Sequence, residues 1–138
     1  MITVKTTIPV SVEKAWSFWT APEHIEKWNF ASEDWYCPKA VNDLRPGGTF
    51  SYSMAAKDGS AAFDFNGTYT SVVPFSVISY QIEDGRKVIV EFEFAEGLTH
   101  VTERFEPENM HSHELQQQGW QSILDEFSRY ATKYGGGN

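Results

Sequence analysis

The end of the chain carries its clearest hydrophobic pattern. Between residues 114 and 134, apolar side chains recur at steps of three and four, which is typical of a helix with one apolar face. The stripe consists of Leu115, Trp120, Ile123, Leu124, Phe127, Tyr130 and Ala131. A stripe this rich in aromatic rings needs a broad apolar surface, and the candidate is a sheet built from the preceding residues.

Gly119 interrupts this helical pattern, although glycine costs roughly 1 kcal/mol relative to alanine inside a helix. We therefore expect its missing side chain to leave space. That space would serve either a strand that approaches closely or a molecule held between the helix and the sheet.

The preceding residues alternate between apolar and polar side chains, as half-buried strands do. Strands are predicted at residues 2–8, 40–44, 49–54, 61–73, 77–82, 87–94 and 98–105. After the first strand, apolar residues at helical spacing predict a short helix over residues 12–20, with Ser11 as its N-cap. Pro22 suits the first turn of a second short helix that Trp28 closes.

This order of elements predicts an α+β domain. One strand, two short helices, about six strands in hairpin succession and a long helix favour a curved antiparallel sheet with the long helix across it. The chain has 138 residues, which is the size of one domain. We expect residues 1–134 to form that domain and residues 135–138 to form a flexible tail.

Composition adds an excess of aromatic residues to this picture. Ten Phe, six Tyr and five Trp are more bulky side chains than a small core needs, so some of them are expected to line a cavity or an interface. A net charge of −8 argues against nucleic-acid binding and against docking on anionic lipid. A single cysteine, Cys37, and the absence of a secretion or membrane-spanning segment favour a soluble protein of the cytoplasm.

Five segments carry a resemblance to a known family: residues 45–50 (RPGGTF), 54–59 (MAAKDG), 63–69 (FDFNGTY), 84–88 (DGRKV) and 118–124 (QGWQSIL). They resemble the stand-alone bacterial proteins of the "activator of Hsp90 ATPase homologue 1-like" (AHSA1-like) family, within the START-like superfamily, also called Bet v 1-like or SRPBCC. The resemblance covers nearly the whole chain. It implies a helix-grip fold, in which a seven-stranded antiparallel sheet grips a long C-terminal helix around an apolar cavity.

The resemblance leaves the function open. In the superfamily the same fold carries lipids, hormones or polyketide intermediates, and in some members it catalyses cyclisation, so the fold does not select one function. The eukaryotic co-chaperone also has an N-terminal domain without a counterpart in this sequence.

Aromatic residues on the predicted inner face have two interpretations. They form a plain core packed by the last helix, or some of them line a ligand pocket. The aromatic segment 32–37 follows the short helices, where the resemblance places the mouth of the cavity. The predicted ligand-binding residues are Trp16, Trp19, Trp28, Trp35, Tyr36, Phe50, Tyr52, Phe65, Tyr69, Phe92, Trp120, Ile123 and Phe127.

The sequence contains no recognisable catalytic motif, whether a nucleophile elbow, a phosphate-binding loop or a zinc-protease signature. Asp64 and Glu91 alternate with phenylalanines and are expected to point outward, although a register slip of one residue would turn them inward. Cys37 is expected to be a buried, inert thiol.

Metal and cofactor sites are not predicted. His111 and His113 stand two positions apart beside Glu114, at a loop-to-helix junction, and residues at that spacing do not share a helical face. A third ligand is not apparent.

Three functions remain from the sequence. The leading hypothesis is a small binding protein with an apolar cavity for a hydrophobic or aromatic small molecule. The second, motivated by the resemblance alone, is a co-chaperone that binds an Hsp90-type ATPase. The third is a cyclase- or hydrolase-like enzyme that uses cavity-facing groups such as Tyr36 or Asp34, and it requires a buried carboxyl or tyrosine with a perturbed pKa. A homodimer is compatible with the aromatic content, but no sequence feature fixes its symmetry.

Overall fold

Seven strands and three helices account for most of residues 1–135, the part of the chain that the computed structural model describes. In chain order they are β1 (Ile2–Ile8), α1 (Val12–Thr20), α2 (Pro22–Trp28), β2 (Trp35–Asn42), β3 (Thr49–Ala56), β4 (Ala62–Val73), β5 (Val77–Ile82), β6 (Lys87–Ala95), β7 (Leu98–Phe105) and α3 (His113–Gly135). The strands form one curved antiparallel sheet in the order β1-β7-β6-β5-β4-β3-β2. The predicted α+β helix-grip architecture is confirmed.

Most predicted boundaries agree with the structure, but the predicted bounds of β2 were wrong. The sequence indicated a strand at residues 40–44, whereas β2 runs from Trp35 to Asn42. Pro38 obscured it, because proline cannot donate to a sheet ladder and is tolerated on edge strands or at bulges. β2 is an edge strand, and its pairing with β3 shifts register between Tyr36 and Lys39.

Aromatic contacts hold α3 against the sheet and the short helices. Trp120 stacks on Phe105 of β7 with ring centroids 3.9 Å apart and planes 10° apart. Two turns further along the helix, Phe127 meets the rings of Trp19 of α1 and Trp28 of α2 edge-on, with centroids 4.9 and 5.0 Å away. Of the predicted stripe, Leu124, Phe127 and Ala131 are buried, Trp120, Ile123 and Tyr130 are half-buried, and Leu115 at the start of the helix is exposed.

Helix α3 also covers the free edge of β1 with glutamine side chains. The Gln121 amide donates to the carbonyl of Lys5 at 3.0 Å and accepts from its backbone N–H at 3.3 Å. Gln117 donates to the carbonyl of Thr3 at 3.1 Å. An uncovered edge strand is a template for unwanted strand pairing, and these side chains satisfy part of that edge.

The last residue described belongs to α3 and not to a tail. Gly135 is buried, and a Cβ atom there would lie 2.8 Å from the side chains of both Phe18 and Val10. Residues 136–138, the remainder of the predicted tail, lie outside the described residues.

Two glycines in the sheet and the helix differ in their surroundings. A Cβ atom on Gly67 of β4 would lie 2.5 Å from the ring of Phe50, so this glycine lets that ring lie flat against the sheet. A Cβ atom on Gly119 would meet no atom within 4 Å. Of the two explanations predicted for Gly119, a closely approaching strand is therefore wrong. The open space beside Gly119 does not support the second explanation either, because Gly119 does not line the cavity between helix and sheet.

We expect Gly119→Ala to raise the free energy of unfolding by about 0.5–1 kcal/mol, because alanine is the better helix former and its methyl group enters open space. Urea denaturation measures the change. Gly67→Ala is the matched control, and we expect it to lower the free energy of unfolding by about 1–3 kcal/mol because it collides with the buried Phe50 ring. A loss of stability in Gly119→Ala would contradict the open space beside that residue.

Candidate ligand cavity

A cavity of about 240 Å³ lies between the inner face of the sheet and helix α3. The close backbone contacts of α3 are with β1 and the two short helices, at one side of the sheet. A wider gap separates α3 from strands β3, β4 and β5, and side chains alone reach across it. The lining residues are Trp19, Trp28, Asn29, Phe50, Tyr52, Met54, Phe63, Phe65, Tyr69, Ile78, Tyr80, Arg86, Glu103, Trp120 and Ile123.

Phe50 stands at the centre of the aromatic wall. Its ring stacks on Tyr52 at 4.8 Å and meets Tyr80 edge-on at 4.9 Å, measured between ring centroids. Phe65 on the neighbouring strand faces Trp120 of α3 edge-on at 6.2 Å and so spans the gap between sheet and helix. Phe63 is 53% exposed and marks the open end of the cavity.

A chain of hydrogen bonds fixes the tyrosines at one side of this wall. The Tyr69 hydroxyl donates to the Asn42 side chain at 2.5 Å and lies 3.5 Å from the Tyr52 hydroxyl. Asn42 in turn donates to the carbonyl of Thr20 at the end of α1. Burial raises the pKa of Tyr69 to about 12 and also raises the pKa of Tyr52, so both phenols stay neutral.

Glu103 is the unusual residue of the cavity. It lies on β7 with its side chain inward, is only 6% exposed, and pairs in register with Val4 of β1 and Val90 of β6. Within residues 1–135 its carboxyl group has neither a hydrogen-bond nor an ion-pair partner. Burial raises the pKa of Glu103 from 4.5 to about 8. Burial also raises the pKa of Tyr80, and the nearby charge of Glu103 adds to that effect.

The other buried polar residues show that Glu103 is an exception. The Thr99 hydroxyl donates to the carbonyl of Val10 at 2.7 Å. The side-chain amide of Gln116 accepts a hydrogen bond from the backbone N–H of Glu108 and donates one to its carbonyl. Asn29, 7% exposed at the C-terminal end of α2, resembles Glu103, since its side-chain amide has no partner in the described part of the chain. Within residues 1–135, both of these buried side chains line the cavity. The Oδ1 atom of the half-buried Asn66 also has no partner, but Asn66 does not border the cavity.

Arg86 brings a positive charge to the same wall, but that charge is already engaged. Its guanidinium contacts the carboxylate of Asp84 at 2.8 Å and reaches the carbonyl of Glu106 at 3.4 Å. Arg86 is half-buried, whereas Glu103 is buried. The pKa of Glu103 is raised despite Arg86, so this cation does not compensate the carboxylate.

The structure places the predicted ligand-binding residues in three groups. Those that line the cavity are Trp19, Trp28, Phe50, Tyr52, Phe65, Tyr69, Trp120 and Ile123. Trp16, Phe92 and Phe127 are buried in the core without bordering the cavity. Trp35 is half-buried, and its ring centroid lies 5.7 Å from that of Phe63. Tyr36 is 43% exposed on the edge strand. Neither borders the cavity.

Sequence reasoning missed Glu103, Asn29 and Tyr80. The alternation of β7 carried a signal for Glu103, because this residue shares a face with the buried Val101 and Phe105. Tyr80 likewise alternates with two buried isoleucines of β5. Asn29 follows the end of α2, and nothing in its sequence context indicates that it faces the cavity.

The acidic residues considered from the sequence lie elsewhere. Asp64 is exposed and accepts a hydrogen bond from Ser53, and Glu91 is exposed and pairs with Arg104, so both point outward as predicted. Asp34, like Tyr36, was proposed as a cavity-facing catalytic group, and that proposal was wrong because it is exposed and does not border the cavity. Phe94, two positions after the buried Phe92 on β6, is also exposed.

The other candidate reactive groups, one cysteine and two histidines, are buried or have partners within the fold. Cys37 is buried, and burial raises the pKa of its thiol to about 11, which keeps it protonated and unreactive as predicted. His111 pairs with Glu108, and His24 contacts the Tyr130 hydroxyl at 2.6 Å. Residues 1–135 contain no cluster of three or more His, Cys, Asp or Glu side chains able to hold a metal ion. In the same residues no helix is long and apolar enough to cross a membrane.

A sheet that grips a long C-terminal helix around an apolar cavity defines a helix-grip protein of the START-like class. The chain belongs to the family described as activator of Hsp90 ATPase homolog 1-like protein, whose sequence model matches residues 9–132. No curated protein matches the chain.

Solved structures agree with this assignment. The AHSA1-like protein from Aeromonas hydrophila is 42% identical, with a TM-score of 0.87 over 96% of this chain and 93% of that one. A protein from Cytophaga hutchinsonii is 48% identical, with a TM-score of 0.83 over 96% and 92% of the two chains. A protein from Nitrosomonas europaea shares the fold at 19% identity, with a TM-score of 0.81 over 96% and 94%.

The raised pKa of Glu103 predicts a specific dependence of stability on pH. The folded chain holds this proton up to about pH 8, whereas the unfolded chain loses it near 4.5. The stabilising contribution of the protonated group is therefore complete below about pH 4.5 and is lost as the pH rises through about 8. Glutamine does not ionise. We therefore expect the free energy of unfolding of Glu103→Gln, relative to that of the native chain, to rise by about 3–5 kcal/mol as the pH increases from about 4.5 to about 8.

Urea denaturation at several pH values measures this gain. Glu91→Gln removes an exposed carboxylate from the adjacent strand and serves as the control, for which we expect little change with pH. A Glu103→Gln difference that stays constant across the range would contradict the unpaired, buried state of Glu103.

Proposed function

We propose that the chain is a small cytoplasmic binding protein that takes a compact, apolar or aromatic molecule into the cavity under α3. The observation that carries this proposal is an apolar cavity of about 240 Å³ beside the buried core. Its wall holds the unpaired side chains of Glu103 and Asn29. Apolar walls with a few unpaired polar groups are what small-molecule sites have in common.

The volume restricts the size of the molecule. A cavity of about 150 Å³ is enough to bind benzene, and sites for drug-sized ligands begin at about 300 Å³. The cavity of this protein lies between these values, at about 240 Å³. It therefore suits one aromatic ring with a short substituent, and the partly exposed Phe63 supplies the entrance.

An enzyme that uses Glu103 is a second candidate. A carboxyl group with a pKa near 8 is suited to general acid–base catalysis at neutral pH. The sequence-based hypothesis of an enzyme required such a group, although it named other residues. Catalysis also needs a second reacting group in a defined position, and none is hydrogen-bonded to Glu103 within residues 1–135. The geometry therefore supports binding better than catalysis.

A co-chaperone is a further candidate, because the family description refers to activation of the Hsp90 ATPase. That role needs a surface contact and makes no use of the cavity. A cavity-filling variant that abolishes small-molecule binding and leaves stimulation of the host's Hsp90-type ATPase unchanged would separate the two roles.

Binding of a neutral one-ring compound tests the proposal. We expect 2-phenylethanol to bind saturably to the native protein in isothermal titration calorimetry. Its NMR shift changes should concentrate on the indole groups of Trp19, Trp28 and Trp120, which border the cavity. Ile123→Phe enlarges a side chain of the wall and should weaken binding at least about tenfold, since the added volume enters the cavity.

Leu115→Phe is the matched control, since it adds a similar volume to an exposed position of the same helix. Its affinity for 2-phenylethanol should equal that of the native protein. If the native protein shows no saturable binding, or if both variants bind equally well, the cavity is not the binding site and the proposal fails.

A further inference from the structure

We propose that the cavity is selective for an organic ammonium ion, a protonated amine on a short arm of one aromatic ring, and that Glu103 is its counter-ion. This inference rests on the proposed function, because it assigns the chemical class of the ligand to the same cavity. It goes beyond that function by predicting which charge the ligand carries and which side chain selects it.

The first argument is the missing partner of Glu103. Its neighbours in register, Val4 and Val90, are apolar, and no side chain or backbone group within residues 1–135 donates to its carboxyl group. A buried carboxylate is strongly disfavoured unless it is paired. The buried Thr99 on the same strand, by contrast, donates a hydrogen bond to the carbonyl of Val10. The partner of Glu103 is then supplied by the ligand.

The second argument is the aromatic surface beside Glu103. Phe105, two positions further along β7, is buried on the same face and carries the stacked Trp120 ring. Tyr80 is close enough for its pKa to respond to the charge of Glu103. Aromatic faces attract cations, most strongly in the case of tryptophan, and this attraction grows when the cation is desolvated. A carboxylate among such rings is therefore suited to an ammonium group.

The third argument concerns the other charges and titratable groups of the wall. Tyr52, Tyr69 and Tyr80 stay neutral because burial raises the pKa of each phenol. Arg86 is held by Asp84, so it leaves Glu103 unpaired and offers little to an anionic ligand. Among the lining residues within 1–135, Glu103 carries the one carboxyl group. The unpaired amide of Asn29 offers a carbonyl oxygen to a further N–H of the ligand.

This arrangement fixes the direction of the pH dependence. Without ligand, Glu103 is mostly protonated at neutral pH, because burial raises its pKa to about 8. Pairing with an ammonium ion requires the carboxylate, so binding releases one proton. The affinity for the amine should therefore rise about tenfold per pH unit between about pH 6 and 7 and level off above about 8. A neutral ligand that accepts a hydrogen bond from the protonated carboxyl group would show the opposite trend.

Three compounds of similar size and different charge test the inference by calorimetry: 2-phenylethylamine, 2-phenylethanol and phenylacetate. We expect the amine to bind the native protein at least about tenfold more tightly than the alcohol near pH 8, and phenylacetate to bind more weakly than either. Titrations in buffers of different ionisation enthalpy should show the release of one proton per amine bound near pH 7.

Two variants with the same change in net charge complete the experiment. Glu103→Gln keeps the size of the side chain and should lower the affinity for the amine at least about tenfold and remove its preference over the alcohol. Glu91→Gln removes an outward-facing carboxylate and should leave all three affinities unchanged. Urea denaturation at the same pH checks that both variants are folded.

The outcomes separate this inference from the proposed function. If the alcohol binds but the amine binds no more tightly, or if Glu103→Gln leaves the amine unaffected, the ammonium assignment is overturned and the binding proposal stands. An amine affinity that falls between about pH 6 and 8 would also overturn the ammonium assignment. If no compound of the series binds, the proposed function fails and this inference fails with it.

Discussion

The packing of α3 against β7 and the two short helices is the constraint on which the rest of the structure depends. Trp120 lies flat on Phe105, and Phe127 is held between Trp19 and Trp28, so the helix is fixed at both of these points. The backbone of α3 approaches β1 and the short helices, and side chains alone bridge the gap over β3 to β5. The cavity is the part of that gap that the side chains do not fill.

This constraint gives a physical reason for the aromatic composition. Aromatic rings are large and rigid, so they reach across a wide gap and hold their positions through edge and stacking contacts. Phe65 reaches Trp120 across the gap, and Phe50 lies flat on the sheet because Gly67 has no side chain. Flexible aliphatic side chains fill irregular space more readily. The aromatic wall therefore preserves an opening that a more adaptable core would close.

Strand β7 combines two opposing contributions. Phe105 anchors the long helix, and two positions earlier Glu103 introduces a buried carboxyl group that has no partner within residues 1–135. The buried Glu103 side chain lowers the stability of the fold. Thr99 on the same strand does not, because its hydroxyl group donates a hydrogen bond to the carbonyl of Val10. Local conflicts of this kind are expected at functional sites. The strand that holds the fold together therefore also positions the group for which we infer a ligand.

The sequence by itself determined the helices, most strands, the turns and the fold class, because these follow from local periodicity and from turn residues. It failed at β2, where Pro38 is tolerated because the strand lies at the edge of the sheet. Alternation identified inward-facing residues, but it did not distinguish Trp19, which borders the cavity, from Phe92, which lies in the packed core. Only the tertiary structure decided that difference and left Glu103 without a partner, because both depend on the distance between α3 and the sheet.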